Sequence, residues 1–215
     1  MSAAEPLDAP RRMTEAEYLA FCQTAEDKWD YHDGVAWMMS GGTPMHALVI
    51  ANVSRELGVA LEPSDGLVFS SELHVRRRSA SYCFPDATVV CDEPEYDGNC
   101  LLNPTVIVEV LSPSTERYDR TAKRDLYFEM PSVKAILLVD AVHASVDVLT
   151  PQRDAPAVHE SVSFESALQV YRGLEATITL DAIGASIPMA GIYRGVSVEP
   201  IGEPVRPIPP GEPIE

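Results

Sequence analysis

Three features of this 215-residue chain predict an α/β fold with a mixed β-sheet flanked by helices. The first is the run Thr105 to Ser114, TVIVEVLSPS, in which Val106, Ile107, Val108, Val110 and Leu111 leave neither face polar. That is the pattern of a central strand covered on both sides. The second is helical spacing before and after it: His46, Val49, Ile50, Val53, Leu57 and Leu61 form one stripe, and Lys123, Leu126, Tyr127 and Met130 another. The third is element order, which runs helix, hairpin, helix, strand, hairpin strand, central strand, helix, strand and fits an α/β sandwich.

Each element has a local cause. Thr14 and Glu17 form a capping box that opens a short helix over Met13 to Cys22, with Met13 and Tyr18 placed as a hydrophobic staple. Lys28 to Met39 reads as a hairpin turning at Asp33-Gly34. Thr43 before Pro44 marks an N-cap with proline at the first helical position, so the His46 helix starts there. Leu67 to Arg78 alternates as a half-buried strand. Tyr82 to Asp92, YCFPDATVVCD, reads as one strand with Phe84, Asp86, Thr88 and Val90 on a common face. After the helix over Glu116 to Met130, Ala135 to Asp140 and Ala144 to Leu149 read as a strand pair, Pro151 to Ser161 as loop and Gln169 to Leu180 as a further strand. Residues 1–12 are expected to form a flexible arm, 13–198 the folded domain and 199–215, with six prolines, an extended or disordered tail.

Two carboxylates stand at apolar strand positions. Glu109 interrupts the central run and Asp86 the preceding strand, and a charged carboxylate there loses hydration worth several kcal/mol unless a cation, a metal or hydrogen-bond donors face it. Lys123 lies on the inward stripe of the next helix, so the three are expected to converge at one cleft. A plain ion pair that settles buried charge would use the same residues.

The blocks YCFPDATVV, VIVEVLSPST and DRTAKRDLY, followed by AILLVD, resemble the "putative restriction endonuclease" family of the Uma type, within the PD-(D/E)XK nuclease superfamily. The likeness spans roughly Met13 to Tyr193. It implies a restriction-endonuclease-like core and metal-dependent hydrolysis of phosphodiester bonds in DNA. The superfamily's usual lysine would fall at Leu111; the family carries it on the following helix, where Lys123 stands. The hairpin resembles the family's YELIDGE block with Asp30 in place of Glu, which makes Asp30 an accessory metal-ligand candidate. His46 also matches a family histidine.

Asp86 and Glu109 are hard oxygen donors suited to magnesium or manganese, and Lys123 would orient or help deprotonate the attacking water. The net charge of −17 opposes phosphate binding, so basic groups must act locally: Arg76, Arg77 and Arg78 form one cluster, and Arg117, Arg120 and Arg124 are DNA-contact candidates beside Lys123. The alternative is a non-catalytic nucleic-acid- or protein-binding module on a nuclease fold. A structural role for the proline-rich tail is a third option, and homodimerisation stays open. Cys22, Cys83, Cys91 and Cys100 form no CxxC pair and are read as free thiols, and the histidines show no zinc spacing. With no apolar run of about 18 residues and no signal-peptide core, no membrane partner is expected and the cytoplasm is the expected location.

Overall fold

A computed structural model describes residues 9–39, 41–77, 81–112, 116, 119–153 and 165–200. In chain order the elements are β1 (Arg11–Arg12), α1 (Glu15–Cys22), β2 (Trp29–His32), β3 (Val35–Met38), α2 (Pro44–Leu61), β4 (Leu67–Ser70), β5 (His74–Arg77), β6 (Ser81–Cys83), β7 (Ala87–Val90), β8 (Tyr96–Asp97), β9 (Cys100–Leu101) and β10 (Val106–Leu111). A π turn (Asp119–Lys123) then leads into α3 (Arg124–Phe128), β11 (Ala135–Asp140), β12 (Ser145–Pro151), β13 (Ser166–Arg172), β14 (Thr177–Leu180), β15 (Ala185–Pro188) and α4 (Met189–Ile192).

The central sheet has the order β13-β12-β11-β10-β7-β4. It is mixed: β10 runs parallel to β11 and antiparallel to β7. A second sheet, β1-β3-β2-β6-β5-β9-β8, lies beside it, and β14 pairs with β15. All of β10 is buried, as its two-sided apolar pattern predicts. Val106, Val108 and Val110 pack with Val49, Val53 and Leu57 of α2, while Ile107 and Leu111 pack with Leu126, Tyr127 and Phe128 of α3. Leu57 is fully enclosed, so truncation to alanine there costs about 2–5 kcal/mol.

The local signals hold where they are strongest. Thr14 Oγ1 accepts from the Glu17 amide while Glu17 Oε2 accepts from the Thr14 amide, closing the capping box. Asp33 and Gly34 both adopt positive φ (49° and 77°), the geometry of a type I′ hairpin turn. Thr43 caps α2, accepting from the His46 amide.

Three expected strands are each two. Leu67 to Arg78 breaks at Ser71–Leu73, so β4 joins the central sheet and β5 the second one. The apolar spacing slips across this break, and Leu67 points outward at 46% exposure while Val68 packs on the core. Tyr82 to Asp92 breaks at Phe84–Asp86 into β6 and β7, again in different sheets. Pro85 has no N–H to extend a ladder, and the Phe84 N–H goes to a side chain, Asp30 Oδ1. Gln169 to Leu180 breaks at Gly173, whose φ of 82° turns the chain from β13 toward β14. The expected helix over Glu116 to Met130 is helical at Glu116, runs as a π turn over Asp119–Lys123 and ends at Phe128.

The expected boundaries at 12 and 199 are crossed by backbone pairing. Arg11–Arg12 form β1 against β3, and the Glu199 amide donates to Val142 O at 2.8 Å. Residues 1–8 and 201–215, most of the expected arm and tail, and 154–164, most of the expected loop, lie outside the described residues.

Candidate active site

The site forms where the chain crosses between the two sheets. β7 pairs with β10 through Val106↔Val89, Ile107↔Thr88 and Val108↔Ala87, and continuing that register sets Asp86 across from Glu109. Like charges directly opposed on neighbouring strands repel. The Val110 amide donates to Asp86 Oδ2 at 2.7 Å, which fixes one oxygen of that carboxylate. Glu109 Oε1 accepts the Tyr127 hydroxyl at 2.6 Å and lies 2.9 Å from Lys123 Nζ. Among the described residues, Asp86 Oδ1 and Glu109 Oε2 receive no hydrogen bond, and neither is among the sealed polar atoms left without a partner.

Strand parity delivers a third acid. Trp29 and Tyr31 on β2 turn toward Tyr18 and Tyr82, which sends Asp30 to the opposite side. There Asp30 Oδ1 accepts from the Phe84 amide at 2.9 Å and Oδ2 lies 3.3 Å from Lys123 Nζ. The π turn adds a fourth acid, Asp119, whose Oδ1 is 3.8 Å from the same ammonium. Helical spacing puts Tyr127 on the inward stripe without marking it as the partner of Glu109, and the sign of Asp119 is an acid four residues before the lysine. A π turn widens the helix by one residue and is frequent at functional sites.

Lys123 is 3% exposed, and Asp30, Glu109 and Asp119 are equally enclosed. Burial pushes the lysine down, but Asp30, Glu109 and Asp119 outweigh it and hold the ammonium well above its ordinary value. Burial pushes Glu109 well above the usual carboxylate range, with Lys123 opposing and Asp119 and Asp86 adding to the rise. Burial also raises Asp86, against the Val110 amide, His46 and Lys123. Burial is the largest cause of the rise in both acids, and the crowding of several carboxylates around one cation adds to it. Held above its ordinary value, the ammonium is suited to the orienting and charge-stabilising part of the role expected of Lys123.

His46 reaches the site from the other layer. Its Nε2 donates to Val110 O at 2.7 Å and lies 3.8 Å from Asp86 Oδ2. Gly42 leaves room for the ring, since a Cβ there would collide with Nδ1. The side chains of Asp86 and His46 are the most exposed of the group, at 12% and 15%, so they form its outer edge.

The arginines are engaged by acids. Arg120 bridges Glu116 and Asp147 at 2.8 and 2.6 Å, and Arg124 pairs with Asp125 at 2.7 Å. Arg76 pairs with Glu15 and Asp97, and Arg77 with Glu129. Arg78 and Arg117 lie outside the described residues. All four cysteines are free. Among the described residues, no group of three or more His, Cys, Asp and Glu is arranged to hold a metal ion, and no helix is long and apolar enough to cross a membrane.

The family described as "Uma2: Putative restriction endonuclease" matches residues 15–182. The chain belongs to the Uma2 family. "Uncharacterized protein slr1290" of Synechocystis sp. (strain ATCC 27184 / PCC 6803 / Kazusa) is 28% identical over 199 residues, covering 92% of this chain and 100% of that protein. "Uncharacterized protein sll1609" of the same organism is 30% identical over 132 residues, covering 60% of this chain and 75% of the relative. The fold resembles the crystal structure of "a putative nuclease belonging to DUF820 from Anabaena variabilis ATCC 29413" with a TM-score of 0.65 at 16% identity, over 84% of this chain and 97% of the other. Family and fold thus agree on a nuclease-like α/β architecture, as the sequence blocks imply.

Proposed function

We propose that this Uma2 protein is a magnesium- or manganese-dependent endonuclease that hydrolyses phosphodiester bonds in DNA. The observation that carries the proposal is the surplus of buried acid around one lysine. A settled ion pair needs one carboxylate per ammonium, whereas Lys123 has Asp30, Glu109 and Asp119 within 4 Å and Asp86 across the strands from Glu109. Such an arrangement is stable only when protons or a further cation neutralise it.

The donor set fits a hard divalent cation. Asp86 and Glu109 each have one oxygen tied to a protein donor and, among the described residues, one left open, so each would bind through a single oxygen. Magnesium keeps several waters and needs only one or two carboxylates beside substrate phosphate, so a two-carboxylate site suffices. When bound, the metal would supply Lewis-acid stabilisation of the charge developing on phosphorus and lower the pKa of water.

The chain's own groups do the rest. Tyr127 and Lys123 hold Glu109 Oε1, which leaves Oε2 for the metal. The Val110 amide holds Asp86 Oδ2, and His46 fixes the carbonyl of that same residue. Lys123, protonated throughout, serves as a fixed positive charge that orients water and stabilises the transition state. The substrate approaches past Asp86 and His46, the outer edge of the cluster.

A second reading, a binding module without catalysis, draws on the acid partners of Arg76, Arg77, Arg120 and Arg124, which leave little free positive charge for phosphate. The test is plasmid nicking by purified protein with magnesium, manganese or chelator, beside Glu109→Gln and Asp86→Asn. Metal-dependent nicking lost in both variants supports the endonuclease; no nicking with either metal supports the module.

A further inference from the structure

We infer that Asp30 is a positioning residue, a strut joining Lys123 to the segment that carries Asp86, and takes no metal itself. The inference rests on the metal-dependent reading above for its catalytic consequence, but the strut stands on contacts alone. Asp30 differs from the two strand acids in how its oxygens are used. Asp86 and Glu109 each keep one open oxygen among the described residues, whereas Asp30 gives Oδ1 to the Phe84 amide at 2.9 Å and Oδ2 to Lys123 at 3.3 Å. Freeing Oδ1 for a metal would orphan a buried backbone N–H, because Phe84 sits where β6 has ended and Pro85 follows. Sharing Oδ2 would set a divalent cation against the ammonium, which repels it.

The two contacts link parts that the fold otherwise brings from different directions. Phe84 lies two residues before Asp86, in the crossing from the second sheet to the central one. Lys123 ends the π turn that precedes α3. Through one enclosed carboxylate, 3% exposed, the lysine and the crossing segment are held in a common frame. The spacing between the lysine charge and the Asp86 oxygen is therefore set by Asp30, which gives this acid a part in catalysis without contact with substrate.

The test joins a double-mutant cycle with metal titration. Thermal melting of the metal-free protein is measured for wild type, Asp30→Asn, Lys123→Met and the double variant. Asp30→Asn is expected to lower the Tm in the wild-type background and to lower it much less, or raise it, beside Lys123→Met; equal losses in both backgrounds would overturn the strut. Manganese affinity by calorimetry is expected to stay within about threefold of wild type in Asp30→Asn while kcat for plasmid cleavage falls about tenfold or more with KM little changed. A loss of manganese affinity of about tenfold or more would make Asp30 a ligand and overturn the inference. If Asp30→Asn does not fold, Asp30→Glu keeps the charge and takes its place: unchanged manganese affinity with reduced kcat supports the strut, and weakened affinity overturns it. Should the wild type bind no manganese, the metal-dependent reading fails while the melting cycle still decides the strut.

Discussion

Tyr127 donates its hydroxyl to Glu109 Oε1 at 2.6 Å, joining α3 to the middle of β10 inside the core. Burial holds that phenol well above its ordinary pKa, with the Glu109 charge adding to the rise, so it remains a donor across the working pH range. Tyr127→Phe deletes the donor and leaves the carboxylate oxygen to Lys123 alone. Urea unfolding of the metal-free variant should show a loss of about 1–3 kcal/mol, the usual worth of a hydrogen bond to a buried charged group. Unchanged stability would mean Glu109 is protonated and repacked rather than held.

The acids set a pH dependence with a definite sign. Folded-state values of Glu109 and Asp86 are raised above their ordinary 4.5 and 3.8, so the folded protein binds more protons than the unfolded chain. Their contribution is fully present below those ordinary values and is lost as pH rises through the raised ones. Lys123, also raised, keeps its contribution until alkaline pH. The metal-free Tm should fall as pH rises above the ordinary carboxylate range, and less so in Glu109→Gln, which is neutral throughout. A fall of the same size in Glu109→Gln would place the titrating acid elsewhere.

Magnesium or manganese should reverse that fall, because the metal binds the deprotonated carboxylates and only the folded state assembles them. At a hundredfold excess over Kd the stabilisation is about 2.7 kcal/mol. The shift should grow with pH and largely disappear in Glu109→Gln. An identical shift in the variant would assign the metal to another site, such as the exposed acids between Asp92 and Asp97.

What could be read from residues alone divides along a physical line. The capping box at Thr14, the Asp33-Gly34 turn, the Thr43–Pro44 helix start and the doubly covered β10 are local patterns, and each appears where its residues predict. The breaks at Ser71–Leu73 and Phe84–Asp86 are not legible as changes of sheet, since strand-like apolar residues resume within a few positions on the far side of each. Pro85 was the one local sign. Asp30 is an accessory-ligand candidate through the family resemblance alone, and its hydrogen bond to the Phe84 amide depends on β6 stopping at Cys83. The inward turn of Tyr127 is legible from helical spacing, but its bond to Glu109 and the approach of Asp119 through the π turn are not. The arginine clusters are visible as charge, but their acid partners lie on other elements.

Lys123→Met separates charge from packing. Removing one partner of a buried ion network leaves acids uncompensated, so the metal-free variant should lose about 3–5 kcal/mol. Metal binding should restore part of this, because the cation compensates the same acids. With metal bound, kcat for cleavage should fall about 10²–10³-fold, the usual loss for one preorganised charge-stabilising donor. Wild-type turnover by Lys123→Met would make the lysine purely structural.

The central claim is that Asp86 and Glu109 hold a catalytic divalent metal, and plasmid cleavage tests it most directly. Supercoiled DNA is incubated with wild type, Glu109→Gln and Asp86→Asn purified side by side, in magnesium, in manganese and in chelator. The account predicts nicked or linear product from the wild type with either metal, none in chelator and none from the two variants. A wild type that cuts no DNA with either metal, or a Glu109→Gln protein that cuts at the wild-type rate, would contradict it.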